Sequence, residues 1–135
     1  GRMNQLDLQK KELLDLLSKI GITTLNPDDQ FMEKRPDVYF PEGRTIFLEN
    51  GVYHVIGVDR GIVSLEKTFN NKEDFMYYLL ESYVSKVASK NAWEKANGDM
   101  TLYAKLFPEA QIKVFSSIDV AYGERRKKDI EGVTF

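Results

Sequence analysis

Between Arg44 and Phe69, two tight-turn signals divide a run of strand formers into three pieces, and nothing else in the chain constrains its fold as strongly. Thr45-Ile46-Phe47-Leu48 is rich in β-branched and aromatic residues, and Asn50-Gly51 is the pair favoured where both central residues of a hairpin need positive φ. Val52 to Val58 continues on the far side of that turn. Asp59-Arg60-Gly61 makes a second turn before Ile62 to Phe69. The spacing predicts an antiparallel meander, which is not stable alone and needs apolar material laid against one face.

The rest of the chain reads as helices that can supply it. Leu6, Leu8, Leu13, Leu14, Leu16, Leu17 and Ile20 recur at three- and four-residue spacing, and Gly21 stands where a C-cap is expected, so a first helix spans about 5–20. Asn26-Pro27-Asp28-Asp29 is a turn signature, and Pro36 and Pro41 push their preceding residues toward extended geometry. The segment 22–41 is therefore a loop with at most one short strand near Asp37–Phe40. Asn70 or Asn71 can cap a second helix over 72–95, with Glu73 and Asp74 in its first turn and Asn97-Gly98 ending it. A helical region over 99–122 follows, which Pro108 is expected to kink or divide. After Gly123 the pattern stops, so 124–135 reads as a mobile or lightly docked tail, with Val133 and Phe135 able to pack if it adds an edge strand. The expectation is a single α+β domain over 1–135: a small antiparallel β-meander packed against three to four α-helices.

Composition narrows the function classes. At 135 residues with no cysteine, the chain has no disulfides, thiol nucleophile or thiolate metal site, and its size suits one domain. A net charge of -2 gives no global attraction to nucleic acid or anionic lipid. No apolar run is long enough for a membrane helix and no signal peptide precedes the polar start, so a cytoplasmic location is expected. Gly1 and Arg2 ahead of Met3 read as residues added by cloning. Phosphate-loop, dinucleotide and zinc-protease motifs are all missing, and no cofactor is implied.

His54, the only histidine, falls in the middle predicted strand. It could act as a base if the fold brought it a carboxylate; otherwise it packs. Glu42, Glu49, Asp59 and Glu66 flank the meander, where paired carboxylates could do acid/base work or simply keep the surface soluble. Arg125-Arg126-Lys127-Lys128 is a basic run without interleaved aromatics, which fits a solvated end or an acidic protein partner better than nucleic acid. Among Tyr39, Phe40, Phe47, Tyr53 and Trp93 most must be core, but those exposed near Pro36–Pro41 would make good partner anchors.

The order of helix, meander, Asp59-Arg60-Gly61 turn, Phe69-Asn70-Asn71 with Asp74, long aromatic-rich helix, then Asp99 with Phe107 and Gln111 resembles immunity proteins of bacterial polymorphic toxin systems. It is most similar to immunity protein family 63, over about residues 40–118. The resemblance implies a non-enzymatic module that binds a cognate toxin domain and neutralises it. It also implies that Arg60 pairs with Asp74 or Asp99 to fix sheet against helices, and that Gly61 serves backbone geometry. Two alternatives stand beside it: a small-ligand protein or enzyme using His54 and a carboxylate in a sheet-helix cleft, and a regulatory or nucleic-acid adaptor. The sequence sets no oligomeric state.

Overall fold

Both tight turns form as their residues dictate: Asn50 and Gly51 take φ of 52° and 77°, and Arg60 and Gly61 take 54° and 77°. In the computed structural model, which describes residues 4–132, they join β2 (Gly43–Glu49), β3 (Val52–Asp59) and β4 (Ile62–Phe69) into the expected antiparallel meander. The possible strand by Val133 and Phe135 lies outside the described residues. α1 (Gln5–Ser18) precedes the sheet, and α2 (Lys72–Ala96), α3 (Met100–Ile118) and α4 (Val120–Glu131) follow it.

The sheet departs from the sequence reading in one respect: it is mixed. A short β1 (Asp29–Phe31) runs parallel to β2, giving the order β1-β2-β3-β4, while Asp37–Phe40 forms no strand. Two long-range features create β1. Arg44 donates from Nε and Nη2 to both carboxylate oxygens of Asp29, at 2.6 and 2.8 Å, and its own N–H reaches the Asp28 carbonyl at 2.8 Å. Gly43, at φ +95°, then lets the Asp28 backbone approach so closely that a Cβ would lie 2.4 Å from its carbonyl oxygen. Pairing between segments this far apart leaves no local periodicity to read.

The chain divides into two compact units. The first comprises the chain through Asp15 and Thr23–Tyr78, and so contains the sheet. Cross-strand partners share a face, so Ile46, Val55, Leu48 and Tyr53 lie on one side and Thr45, Phe47, His54 and Ile56 on the other. The Tyr53 ring stacks on Phe75 of α2, its hydroxyl meets the amides of Gln5 and Gln9 from α1, and Lys10 lies over Phe31. Helices therefore cover the Tyr53 side. Against expectation, the Phe47 side is covered too, and Thr45, Phe47 and Ile56 are buried there. Filling both faces with side chains of this size contributes about 1.5–3 kcal/mol per large apolar residue.

The second unit comprises Leu16–Ile22 and Leu79 onward. Its core includes Leu17, Leu80, Val84, Ala88, Val114, Phe115 and Ile118. Pro108 does not divide α3, which runs unbroken past it. The break comes at Asp119, whose extended backbone closes α3 by donating its N–H to the Phe115 carbonyl and opens α4 by accepting from the Ala121 N–H. Residues 124–131, read as the start of a tail, instead continue α4. Gly123 is not a stop signal but a crossing point, where a Cβ would lie 1.9 Å from Ser116 Oγ and 2.9 Å from its Cβ.

Candidate functional site

The cover over Phe47 is the loop joining β1 to β2, and its residues fall into two groups. One group pins it. The Met32 N–H reaches the Ile46 carbonyl at 2.8 Å. Arg35 lays its guanidinium 4.9 Å from the Phe47 ring centroid and reaches both oxygens of Glu49 at 3.3 Å. Phe40 stacks on Phe47 with centroids 6.5 Å apart. Glu42 accepts the backbone N–H groups of Arg60 at 3.1 Å and Gly61 at 2.7 Å, tying the loop's end to the β3–β4 turn.

The other group is left outside. Val38 is 88% exposed and Tyr39 77% exposed, side by side between Pro36 and Pro41. Pro36 and Pro41 fix their own φ and restrict Arg35 and Phe40 before them, so the two ends of the segment that carries Val38 and Tyr39 are held. A loop pinned on both sides of an exposed aliphatic and an exposed aromatic side chain has the makeup of a protein-binding anchor.

The other residues singled out from sequence are dispersed. Tyr53 is core. His54 is half-buried with its ring 4.7 Å from and nearly parallel to that of Phe47, and among the described residues it hydrogen-bonds to no carboxylate. Glu42 and Glu49 are engaged as described, while Asp59 and Glu66 are exposed, so the flanking carboxylates form no pair. Arg60 enters no ion pair among the described residues, and it is its backbone N–H that is held. The acids expected to meet it serve helix starts instead: Asp74 gives its N–H to Asn71 Oδ1 and accepts from the Asn71 side-chain amide, and Asp99 accepts from the N–H groups of Thr101 and Leu102. Short polar side chains at those first turns satisfy donors that the helix cannot.

Trp93 stacks on Tyr103 at 4.1 Å, beside a groove of about 450 Å³ lined by Ala92, Lys95, Leu106, Glu109, Ala110 and Lys113 among others. The basic run is not one surface. Arg126, its side chain only 17% exposed, reaches Gln111 Oε1 at 2.9 and 3.2 Å and lies 3.7 Å from Glu81, leaving Lys127 and Lys128 outside. Sequence reasoning did not find Arg35, because its partners lie on a strand it reaches only after folding. Its place beside Pro36 was the sole local hint.

Among the described residues no helix is long and apolar enough to cross a membrane. Comparison with curated proteins and with solved structures found no match. The family model of Immunity protein 63 matches residues 49–132, beginning later than the expected span and continuing through α4. That match takes in β3, β4 and the three helices after them, and with it the chain belongs to the Immunity protein 63 family.

Proposed function

We propose that the chain, acting as one domain in the cytoplasm of the producing cell, binds its cognate toxin through the β1–β2 loop, with Val38 and Tyr39 as anchors. Members of an immunity-protein family act by binding and neutralising, without turnover. The observation that carries the loop assignment is the contrast within it: Arg35, Phe40 and Glu42 are held by the sheet while Val38 and Tyr39 face solvent. A loop held at both ends has less conformational entropy to lose on contact than a free one, so more of the gross contact energy remains as affinity.

The test is growth rescue and calorimetric affinity against the toxin domain encoded beside this gene. Tyr39→Ala is expected to weaken binding by about 30-fold or more, a central aromatic anchor being worth roughly 2 kcal/mol or above. Its thermal midpoint should match the parent, since so exposed a ring contributes little to folding. Unchanged affinity would remove the loop from the interface, and failure of the parent chain to rescue growth would reject neutralisation of that toxin.

A further inference from the structure

Among the described residues β4 ends the sheet, so one whole row of its backbone N–H and C=O groups has no described strand beside it. It is also uncovered above and below. Ile62 is 70% and Val63 47% exposed, Ser64, Glu66, Lys67 and Thr68 are exposed, and only Leu65 and Phe69 are half-buried. Its neighbour β3, by contrast, buries Val55 and Ile56 on opposite faces.

We infer that β4 accepts an extended strand of the cognate toxin as a fifth strand of the sheet, a proposal that rests on the neutralisation reading. Charges on an edge guard it against indiscriminate pairing, and here their order decides which strand the edge can accept. Glu66 lies across from Ile56 and Lys67 across from Val55, so the two project from opposite faces, and neither is in an ion pair among the described residues. Cross-strand neighbours share a face, and like charges set opposite one another destabilise the pair.

A second copy of the chain cannot satisfy them. Two copies of β4 paired antiparallel about a twofold axis must set residues of the same face opposite each other, so no central register brings Glu66 against Lys67. One register opposes Glu66 to Glu66, the next Lys67 to Lys67, and the one centred on Leu65 leaves Lys67 facing Val63 next to the irregularity at Gly57/Val58. A foreign strand has no such constraint. An adjacent base and acid on it would meet Glu66 and Lys67 on their own faces, and apolar residues would cover Ile62 and Val63. Main-chain bonds would supply affinity and the charge order specificity.

The experiment is residue-resolved amide exchange on the full chain, free and bound to the toxin domain encoded beside this gene, with affinities for the parent and for the double variant Glu66→Lys/Lys67→Glu. The swap keeps net charge, so its thermal midpoint should not move. Support is slowed exchange at alternate amides of 62–68 in the complex, together with at least a tenfold affinity loss in the swapped variant. A complex in which those amides exchange as in the free chain overturns the proposal, as does a swap that leaves affinity unchanged or a free chain that dimerises with β4 protected. If no complex forms, the neutralisation reading fails and the strand proposal with it, an outcome distinct from binding elsewhere.

Discussion

Gly43→Ala tests how β1 is held to the sheet, because two penalties meet at one Cβ. At φ +95° an L-residue is in the left-handed half of backbone space, at a cost of about 1–2 kcal/mol. The added carbon would also lie 2.4 Å from the Asp28 carbonyl oxygen, a backbone atom that no rotamer can move. Restoring ordinary contact requires a shift of about 1 Å. That shift stretches the Arg44 N–H bond to the same oxygen, now 2.8 Å, and disturbs the 2.6 and 2.8 Å pairing of Arg44 with Asp29. A lost neutral bond is worth about 1 kcal/mol and a weakened charge-assisted one roughly as much again. Alanine returns about 0.4–1 kcal/mol by restricting the unfolded chain. The expected net loss is about 2–3.5 kcal/mol, read by urea unfolding at unchanged m-value. Gly51→Ala is the control, since it shares a positive φ of 77° but its Cβ would meet nothing within 4 Å. It should lose only about 1 kcal/mol. Equal losses in the two variants would refute the close-approach argument.

Two further predictions concern the helical unit. Gly123→Ala gains about 1 kcal/mol of helix propensity but must push α4 away from Ser116, an overpacking cost of about 1–3 kcal/mol, so chemical denaturation should show a net loss near 1 kcal/mol. Ser116→Ala should relieve this only in part, since it removes the Oγ at 1.9 Å and leaves the Cβ at 2.9 Å. Arg126→Met strips Gln111 of both its hydrogen bonds and should cost about 1–3 kcal/mol, whereas adding Gln111→Leu should recover part of that loss in a double-mutant cycle.

What the sequence made legible is what local chemistry decides. Asn50-Gly51 and Arg60-Gly61 name their turns because few other pairs accept positive φ twice, and Asn71 and Asp99 mark helix starts through their own side chains. What it hid is decided across distance. β1 exists because Arg44 finds Asp29, and α4 is ordered because Arg126 finds Gln111. Pro108 misled for a related reason. It withholds one backbone bond, but the turns after it bury Gln111, Val114, Phe115 and Ile118, and that packing outweighs the roughly 3 kcal/mol a mid-helix proline costs. At the candidate site, Tyr39 was legible because two prolines isolate it from any core. The division of labour between Phe40, turned in, and Tyr39, turned out, depends on where Phe47 stands after folding.

Several residues that carried the family resemblance have partners inside the fold. Arg60 and Gly61 are held through backbone N–H groups, Asp74 pairs with Asn71 in the first turn of α2, Asp99 caps α3, and Gln111 anchors Arg126. Each of these contacts holds a turn, a helix start or a helix pairing. The two surfaces proposed for contact make the opposite choice. Val38 and Tyr39 lie in a loop before the matched span, and Ile62, Val63, Glu66 and Lys67 lie within it with their side chains exposed. Substitution at either surface is therefore nearly free for folding, which is the condition under which one fold can be fitted to different toxins. Stability and specificity should then separate in measurement: Gly43, Gly123 and Arg126 variants move the unfolding midpoint, while Tyr39 and the Glu66/Lys67 swap move affinity alone.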